Sequence, residues 1–195
     1  DADGRMYAER LRQASVRMSR LIDQLLALSR LNQKPLSRAP VDLSKMAMEI
    51  TGVLQEEHPE RSVQIEIAQT VVAPSADPEL IRNALQNLFD NAWKFTRSRD
   101  PAVIAFGVQQ DGEKDPVYFV RDNGAGFEMR YADQLFAPFQ RLHRQDEYPG
   151  TGIGLASTRR IILRHGGRIW AEGAVDEGAC FQFTLPAEAA GHRPD

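Results

Sequence analysis

Two pairs of strand-like segments in the second half of the chain are each separated by a short turn, and helix-like segments lie before and between them. The first pair, "AVIAFGVQQ" and "PVYFVRD", flanks "DGEKD", and the second pair, "RIWAEG" and "ACFQFTLP", flanks "VDEG". Alternating apolar runs joined by Gly- and Asp-containing turns are typical of β-hairpins. Upstream, "SVQIEIA" and "TVVA" are two further strand candidates. This order predicts an α+β sandwich with helices on one face of a mixed sheet.

Three helices are predicted among these strands. The first covers "LSKMAMEITGVLQEE", with Asp42 or Ser44 as its N-cap. The second has Asp77 as its N-cap and proline at its first position, and it extends to about Thr96. The third follows "GTGIGL" and ends at His165, before two glycines.

A heptad pattern distinguishes residues 5–32 from the rest of the chain. Its apolar positions are Tyr7, Leu11, Ala14, Met18, Leu21, Leu25 and Leu28. Such a stripe predicts a long helix that pairs with another helix, the alternative being a helix packed on its own globular domain. Pro35 and Pro40 favour the first interpretation, because they indicate an extended linker after the helix.

These features predict four regions. They are a dimerisation helix at 1–33, a linker at 34–41, a globular domain at 42–187 and a flexible tail at 188–195. Because the first residue is Asp1 and not methionine, we expect the chain to be a fragment.

Composition excludes several classes of protein. The net charge of -3 and the dispersed lysine and arginine argue against nucleic-acid binding. No apolar run approaches the length of a membrane span. The single cysteine, Cys180, excludes disulfides within the chain, and its place in a strand-like segment predicts a buried thiol.

Three asparagines lie on one stripe of the second predicted helix. Asn83, Asn87 and Asn91 are spaced four residues apart beside an apolar face. Because asparagine is a poor helix former, the stripe has a local cost. It is either a solvated face or a ligand set, in which amide oxygens bind a hard cation, amide N–H groups bind phosphate and Lys94 adds positive charge. The second interpretation suits a magnesium nucleotide.

Asp122 ends a strand-like segment, and Gly124 and Gly126 follow it. A carboxylate there can accept a hydrogen bond from an exocyclic amine, which would select adenine over guanine, while glycine lets a base approach the backbone. The alternative is an ordinary turn, because Asp-Asn-Gly is common in turns.

Glycines at 150, 152 and 154 precede the last predicted helix. They predict either plain turn chemistry or a close approach of the backbone to phosphate, although neither the Walker nor the Rossmann spacing is present. The 22-residue stretch 128–149 before them is longer than an ordinary connection and predicts a lid.

Together these motifs indicate a family. "NLFDNAWKF", "DNGAGF", "LFAPFQRL" and "GTGIGLAS" occur in this order and resemble the N, G1, F and G2 boxes of bacterial two-component sensor histidine kinases. The resemblance covers essentially the whole chain and is greatest to kinases attached to phytochrome or PAS sensors. It implies the ATP-binding Bergerat fold, shared with gyrase, heat-shock chaperone and mismatch-repair ATPases, and transfer of the ATP γ-phosphate to a histidine.

The resemblance also implies a role for individual residues. Asn87 would be the magnesium ligand, Asn91 and Lys94 would contact phosphates, Phe95 would border the base, Asp122 would bind the adenine amine, and Arg141 would contact the γ-phosphate. Asn87, Lys94 and Arg141 would be the catalytic residues. The remaining nucleotide contacts would come from Gly124, Gly126, Gly150, Thr151, Gly152, Gly154 and Leu155.

The partners follow from the same resemblance. "LIDQLLALSRL" resembles the second helix of the dimerisation and phosphotransfer hairpin, so we expect a homodimer that is weakened because only one helix of the hairpin is present. A response regulator, an upstream sensor domain and a cytoplasmic location are implied as well. The histidines His58, His143, His165 and His192 do not lie in a His-Glu or His-Asp box and are expected at the surface. We therefore expect ATP binding without autophosphorylation of these residues.

Three other functions have sequence support. A gyrase-like ATPase clamp shares the nucleotide boxes but uses a carboxylate at the position of Asn87, and an amide cannot accept a proton from water at pH 7. An anti-sigma-factor serine kinase shares the boxes but is not expected to carry a heptad helix. A pseudokinase would use the domain for docking alone.

Overall fold

The structure, a computed structural model, describes residues 7–9, 12, 15, 18, 22, 35–110, 115–140, 142, 148 and 150–187. The chain forms two compact units, Asp1–Pro35 and Leu36–Asp195. Each is described by itself. No helix in the described residues is both long and apolar enough to cross a membrane.

The N-terminal unit is helical at residues 7–9, 12, 15, 18 and 22, which we call α1, and its remaining described residue, Pro35, is not helical. Arg12 and Glu9 form an ion pair of 2.7 Å one turn apart on its surface. Tyr7, Met18 and Ile22 are 60%, 63% and 53% exposed, so apolar side chains of this helix face solvent. The other positions of the predicted heptad stripe lie outside the described residues.

The second unit contains seven strands, three α-helices and a 3₁₀ helix within its described residues. In chain order they are β1 (Ala39–Asp42), α2 (Leu43–Glu57), β2 (Val63–Ile67), β3 (Val72–Ala76), α3 (Pro78–Phe95), β4 (Ala102–Gln109), β5 (Val117–Asp122), the 3₁₀ helix (Met129–Phe136), α4 (Gly154–Arg164), β6 (Ile169–Ala174) and β7 (Gly178–Thr184).

Five strands form one mixed sheet in the order β2-β4-β5-β7-β6. β2 is parallel to β4, and the other three pairings are antiparallel. The helix α3 contacts both α2 and α4 as well as β5. This arrangement confirms the predicted α+β sandwich with a mixed sheet.

Both long helices begin as their sequences predict. Asp42 accepts a hydrogen bond from the Lys45 N–H at 2.8 Å, and Asp77 accepts one from the Leu80 N–H at 3.1 Å. Ser44, the alternative cap of α2, instead donates to the carbonyl oxygen of Ala68 at 2.6 Å. Each cap satisfies an N–H of the first turn that has no partner within its helix.

The core lies between α3 and the sheet. The apolar face predicted for α3 is buried in full, at Ile81, Ala84, Leu85, Leu88 and Ala92. Phe89 of α3 packs against Phe106 of β4, with ring centroids 6.1 Å apart. Because this packing determines which side of α3 faces the interior, it also determines where the asparagine stripe points.

The predicted linker at 34–41 is wrong at its C-terminal end. Ala39–Asp42 pairs with β3 in an antiparallel two-stranded sheet, with Ala39 opposite Ala76. Pro40 lacks an N–H, but a proline is tolerated in an edge strand, which leaves some N–H groups unpaired. The compact unit accordingly begins at Leu36 and not at residue 42.

The segment 128–149, predicted as a lid, begins with the 3₁₀ helix, whose Phe136 is buried against Phe181, and its function as a lid stays a prediction.

Two further predictions, for His165 and Cys180, need correction. His165, expected at the surface, is fully buried. Its Nε2 accepts a hydrogen bond from the Asp77 N–H at 2.9 Å, and its Nδ1 lies 2.7 Å from the carbonyl oxygen of Ile161. His58 is half-exposed, and His143 and His192 lie outside the described residues.

Cys180 is half-buried and not fully buried, and burial raises the pKa of its thiol to about 11.

Candidate functional site

The asparagine stripe on α3 becomes less exposed toward the C-terminal end of the helix. Asn83 is exposed, whereas Asn87 and Asn91 are half-buried. The ammonium of Lys94 donates to Oδ1 of Asn91 at 3.2 Å and lies 4.2 Å from the centroid of the Phe95 ring. The C-terminal half of α3 therefore presents two amides, one cation and one aromatic ring on adjacent turns.

Asp122 and the loop after it meet the C-terminal end of this stripe. The Gly124 N–H donates to Oδ1 of Asp122 at 2.8 Å. A Cβ on Gly124 would lie 2.6 Å from the carbonyl oxygen of Phe95, so only glycine allows this approach. Gly126 has a φ of +62°, a backbone conformation that favours glycine. We call residues 122–126 the Asp122 loop.

The Asp122 carboxyl is 6% exposed and lies at the end of β5. Burial raises its pKa to about 6, while hydrogen bonds from the Gly124 and Ala179 backbone act in the opposite direction. At pH 7 the group is mainly ionised and can only accept hydrogen bonds. Asp122 is thus a buried hydrogen-bond acceptor at the end of β5.

The glycine loop lies along the same part of α3, from Asn87 to Lys94. A Cβ on Gly154, the first residue of α4, would lie 3.1 Å from Oδ1 of Asn87. A Cβ on Gly150 would lie 3.4 Å from the Lys94 ammonium. Gly152 has a φ of +75°, and its carbonyl accepts a hydrogen bond from the Phe139 N–H at 2.9 Å. Thr151 and Leu155 are half-buried in the same segment. The backbone of this loop thus lies directly against α3.

One aromatic contact was missed by the sequence analysis. Tyr148 lies two residues before the glycine loop, and its ring centroid is 4.9 Å from that of Phe95. The guanidinium of Arg97 lies 5.2 Å from the centroid of the Tyr148 ring. No periodicity in the sequence around Tyr148 indicates such a contact. Arg141, the predicted γ-phosphate contact, lies outside the described residues.

The structure thus brings together the stripe on α3, the Asp122 loop and the start of α4. The sequence profile of the family described as "Histidine kinase-, DNA gyrase B-, and HSP90-like ATPase" matches residues 76–189. That match includes α3, the Asp122 loop and α4. The chain belongs to this family of ATPases. Its Bergerat-type fold is that of an ATP-binding catalytic domain of the sensor histidine kinase type.

Curated relatives of this ATPase-family domain include a cyanobacterial phytochrome and a sensory kinase. Cyanobacterial phytochrome A of Nostoc sp. (strain PCC 7120) is 38% identical over 171 residues, which cover 87% of this chain and 22% of the phytochrome. The adaptive-response sensory kinase SasA of Gloeothece citriformis is 34% identical over 173 residues, covering 87% of this chain and 44% of SasA. The chain spans less than half the length of either relative.

A solved structure has the same fold. Full-length ShkA in complex with AMPPNP matches with a TM-score of 0.70 and 24% sequence identity. The match covers 95% of this chain and 40% of ShkA. At this identity the match establishes the shared fold of the ATPase-family domain.

Proposed function

We propose that this chain is the catalytic part of a sensor histidine kinase. It binds magnesium-ATP and transfers the γ-phosphate to a histidine outside residues 1–195, for relay to an aspartate of a response regulator. The observation that supports this proposal is that two glycine-containing loops contact the same part of α3, from Asn87 to Phe95. Gly124 lies against Phe95, and Gly154 lies against Asn87, eight residues or about 12 Å away along the helix.

The base binds at the Phe95 end. An ionised Asp122 accepts from the exocyclic amine of adenine, whereas guanine presents a carbonyl oxygen at the same ring position and would be repelled. Gly124 and Gly126 keep the adjoining backbone free of side chains, and the ring of Phe95 provides an apolar surface. Tyr148, which contacts Phe95, extends that surface.

The phosphates bind at the Asn87 end. The amide oxygen of Asn87 suits a hard cation such as magnesium, the Asn91 amide contacts phosphate, and Lys94 supplies a positive charge. Magnesium, when bound, neutralises phosphate charge and orients the transferred group. At the start of α4, the N-cap residue Ile153 has no side-chain acceptor for the N–H groups of the first turn, which suit a phosphate. Gly150, Thr151, Gly152 and Leu155 contribute backbone to the same region, and Arg141 contacts the γ-phosphate.

The residue types favour transfer to an acceptor over hydrolysis. A neutral amide at Asn87 or Asn91 cannot take a proton from water at pH 7, so neither residue activates a water molecule. An incoming imidazole needs no such base, because neutral imidazole is itself a nucleophile. The protein's contribution is to bind, orient and shield the phosphate, which accounts for most catalysis in phosphoryl transfer.

The same proposal includes the partners. The exposed apolar residues of α1 support homodimerisation through the N-terminal helix. A response regulator receives the phosphate, a sensor domain upstream controls the reaction, and the need for ATP gives the domain a cytoplasmic location.

Calorimetric titration with ADP and ATP, with and without magnesium, tests the nucleotide site. The parent should bind both nucleotides, and Asn87→Ala should reduce the gain in ATP affinity that magnesium provides while leaving metal-free ADP binding nearly unchanged. Asn83→Ala is the matched control, because Asn83 is exposed one turn earlier on the same helix. An unchanged magnesium dependence in Asn87→Ala would show that Asn87 is not the metal ligand.

Phosphotransfer is tested separately with γ-labelled ATP. Acid-labile label should appear on an added helical hairpin that carries an acceptor histidine, and not on residues 1–195. Label on this chain alone would contradict the proposed location of the acceptor. If the parent binds no ATP at all, the domain is a docking module and the kinase proposal is wrong.

A further inference from the structure

Arg99 lies four residues after the end of α3 and contacts two separate loops. Its Nη2 donates to the carbonyl oxygen of Gly124 at 3.0 Å. The same nitrogen donates to the carbonyl oxygen of Asp176 at 2.7 Å and to Oδ1 of Asp176 at 3.2 Å. Asp176 is in the turn between β6 and β7, so one guanidinium links this turn to the Asp122 loop.

The contacts of Arg99 complete a set that restrains a single peptide unit. The Gly124 carbonyl accepts from Arg99, and the N–H of Ala125, on the other side of the same peptide bond, donates to the carbonyl oxygen of Phe95 at 3.1 Å. The next carbonyl, that of Ala125, accepts from the Asp176 N–H at 2.8 Å. Both ends of the Gly124–Ala125 peptide are therefore hydrogen-bonded, and the β6–β7 turn supplies a third bond.

This restraint extends directly to the buried carboxylate. The Gly124 N–H donates to Oδ1 of Asp122, so rotation of the backbone at Gly124 would move that donor. Glycine has the widest backbone freedom of any residue, and here its conformation is held from outside by Arg99. The end of β6, which leads into this turn, also packs against the Asp122 loop, since a Cβ on Gly126 would lie 1.8 Å from the carbonyl oxygen of Ala174.

We propose that Arg99, together with Asp176, is a positioning residue for base recognition: it fixes the Asp122 loop in the geometry that binds adenine. This inference rests on the proposed nucleotide-binding function. Arg99 does not contact the base; it acts through Gly124 and Asp122. The ion pair with Asp176 contributes little to folding, because the Asp176 side chain is 79% exposed.

The test measures base and phosphate binding separately. Calorimetry with ADP, GDP and inorganic tripolyphosphate is performed on the parent, Arg99→Ala and Arg99→Lys, with thermal unfolding of each. Arg99→Ala should weaken ADP by roughly 3- to 10-fold, the equivalent of one lost hydrogen bond, and should reduce the preference for ADP over GDP. Tripolyphosphate affinity should not change. Arg99→Lys should restore part of the preference, because an ammonium can still donate to the Gly124 carbonyl.

Two further variants keep the test decisive. Arg121→Ala is the matched control, because it removes the same charge from an exposed residue of β5 whose guanidinium lies 5.5 Å from the centroid of the Phe119 ring. Asp176→Gly removes the carboxylate without strain, since Asp176 has a φ of +62°, and it should weaken ADP less than Arg99→Ala does. It decides the question if Arg99→Ala does not fold.

Three outcomes would overturn the inference. They are an unchanged ADP-to-GDP preference in folded Arg99→Ala, an equal loss of ADP and tripolyphosphate affinity, and, where Arg99→Ala does not fold, parent-like ADP binding by Asp176→Gly. Failure of the parent to bind ADP would instead refute the proposed function, so the two failures are distinguishable.

Discussion

At the scale of single residues, Asp122 combines burial with a negative charge. Burial raises its folded-state pKa to about 6 from 3.8. Between these two values the folded chain holds the proton more tightly than the unfolded chain does, so the contribution of Asp122 to stability decreases as pH rises through about 6. The ionised carboxyl is therefore unfavourable for folding at pH 7. We propose that its role is to bind a ligand.

Replacing this carboxyl tests its role in base binding. Asp122→Asn should weaken ADP by about 1–3 kcal/mol, because an amide presents a donor where the proposed adenine amine needs an acceptor. In the parent, ADP affinity should also fall as pH drops below about 6, since a neutral acid is a weaker acceptor than a carboxylate. Because phosphate groups titrate near pH 6 as well, the informative quantity is the difference between parent and variant across pH 5–8. Parallel pH profiles would show that Asp122 does not bind the base.

At the scale of elements, α4 is held against α3 at both of its ends. At its start, Gly154 lies against Asn87, and at its end, His165 accepts from the N–H of Asp77, the N-cap of α3. Arg38 adds a link to the segment that precedes β1, by donating to the His165 carbonyl at 3.2 Å. Small changes at either end of α4 should therefore have distinct effects, on ligand binding at the start and on stability at the end.

The start of α4 is tested by adding one methyl group. Gly154→Ala should weaken magnesium-ATP by about 1–3 kcal/mol, because the new Cβ would press on the Asn87 amide. Its stability should not fall, since alanine favours a helix by about 0.5–1 kcal/mol over glycine. Gly52→Ala is the control: Gly52 lies within α2, a Cβ there meets nothing within 4 Å, and only the stabilisation is expected. Calorimetry and chemical denaturation measure the two effects, and equal ATP affinity in parent and Gly154→Ala would contradict the close approach.

The end of α4 predicts a pH-dependent stability. Burial lowers the pKa of His165, while Asp77 raises it and Arg38 and Arg164 lower it. The pKa of His165 in the folded chain lies below 6.5, so the unfolded chain binds the proton first as pH falls. The contribution of neutral His165 to stability is therefore complete above about pH 6.5 and is lost as pH falls through the folded-state pKa. The free energy of unfolding should decrease by up to about 1.4 kcal/mol per pH unit in that window.

Urea denaturation between pH 5 and pH 8 checks this prediction. His165→Ala should be destabilised by about 2–4 kcal/mol at pH 7, since the Asp77 N–H and the Ile161 carbonyl lose their partner and a cavity forms. The variant should also lose this part of the pH slope. His58→Ala, at a half-exposed histidine, is the control. A parental slope in His165→Ala would refute the assignment.

At the scale of the whole molecule, the two compact units have different surfaces. The unit from Leu36 onward has its own buried core, whereas α1 exposes Tyr7, Met18 and Ile22. Exposed large apolar side chains on one helix favour pairing with another helix.

We therefore expect concentration-dependent self-association that depends on residues 1–33. Deleting these residues, or introducing Met18→Lys with Ile22→Glu, should yield a monomer that keeps parental ADP affinity, because the proposed nucleotide site lies in the second unit. Sedimentation equilibrium of the three proteins is the measurement. A parent that is monomeric at every concentration would exclude pairing through α1.

Local pattern alone determined the elements that surround the proposed site. The caps Asp42 and Asp77, the apolar face of α3 and the alternation in β2 are readable from the chain because each depends on residues within about one helical turn or a strand length. The order of the four boxes likewise identified the family. For the same reason, the sequence identified Asn87, Asn91 and Asp122 as candidates, because each is a polar residue where the local pattern favours another residue type.

Only the tertiary structure decided which distant groups meet. The pairing of Ala39 with Ala76, the bond from Asp77 to His165 and the contacts of Arg99 with Gly124 and Asp176 join residues that are 25 to 88 positions apart. A proline-containing segment therefore looked like a linker, and a histidine at a helix end looked like a surface residue. Neither periodicity nor composition encodes such partners, because burial and hydrogen bonding at these positions arise only when separate elements pack together.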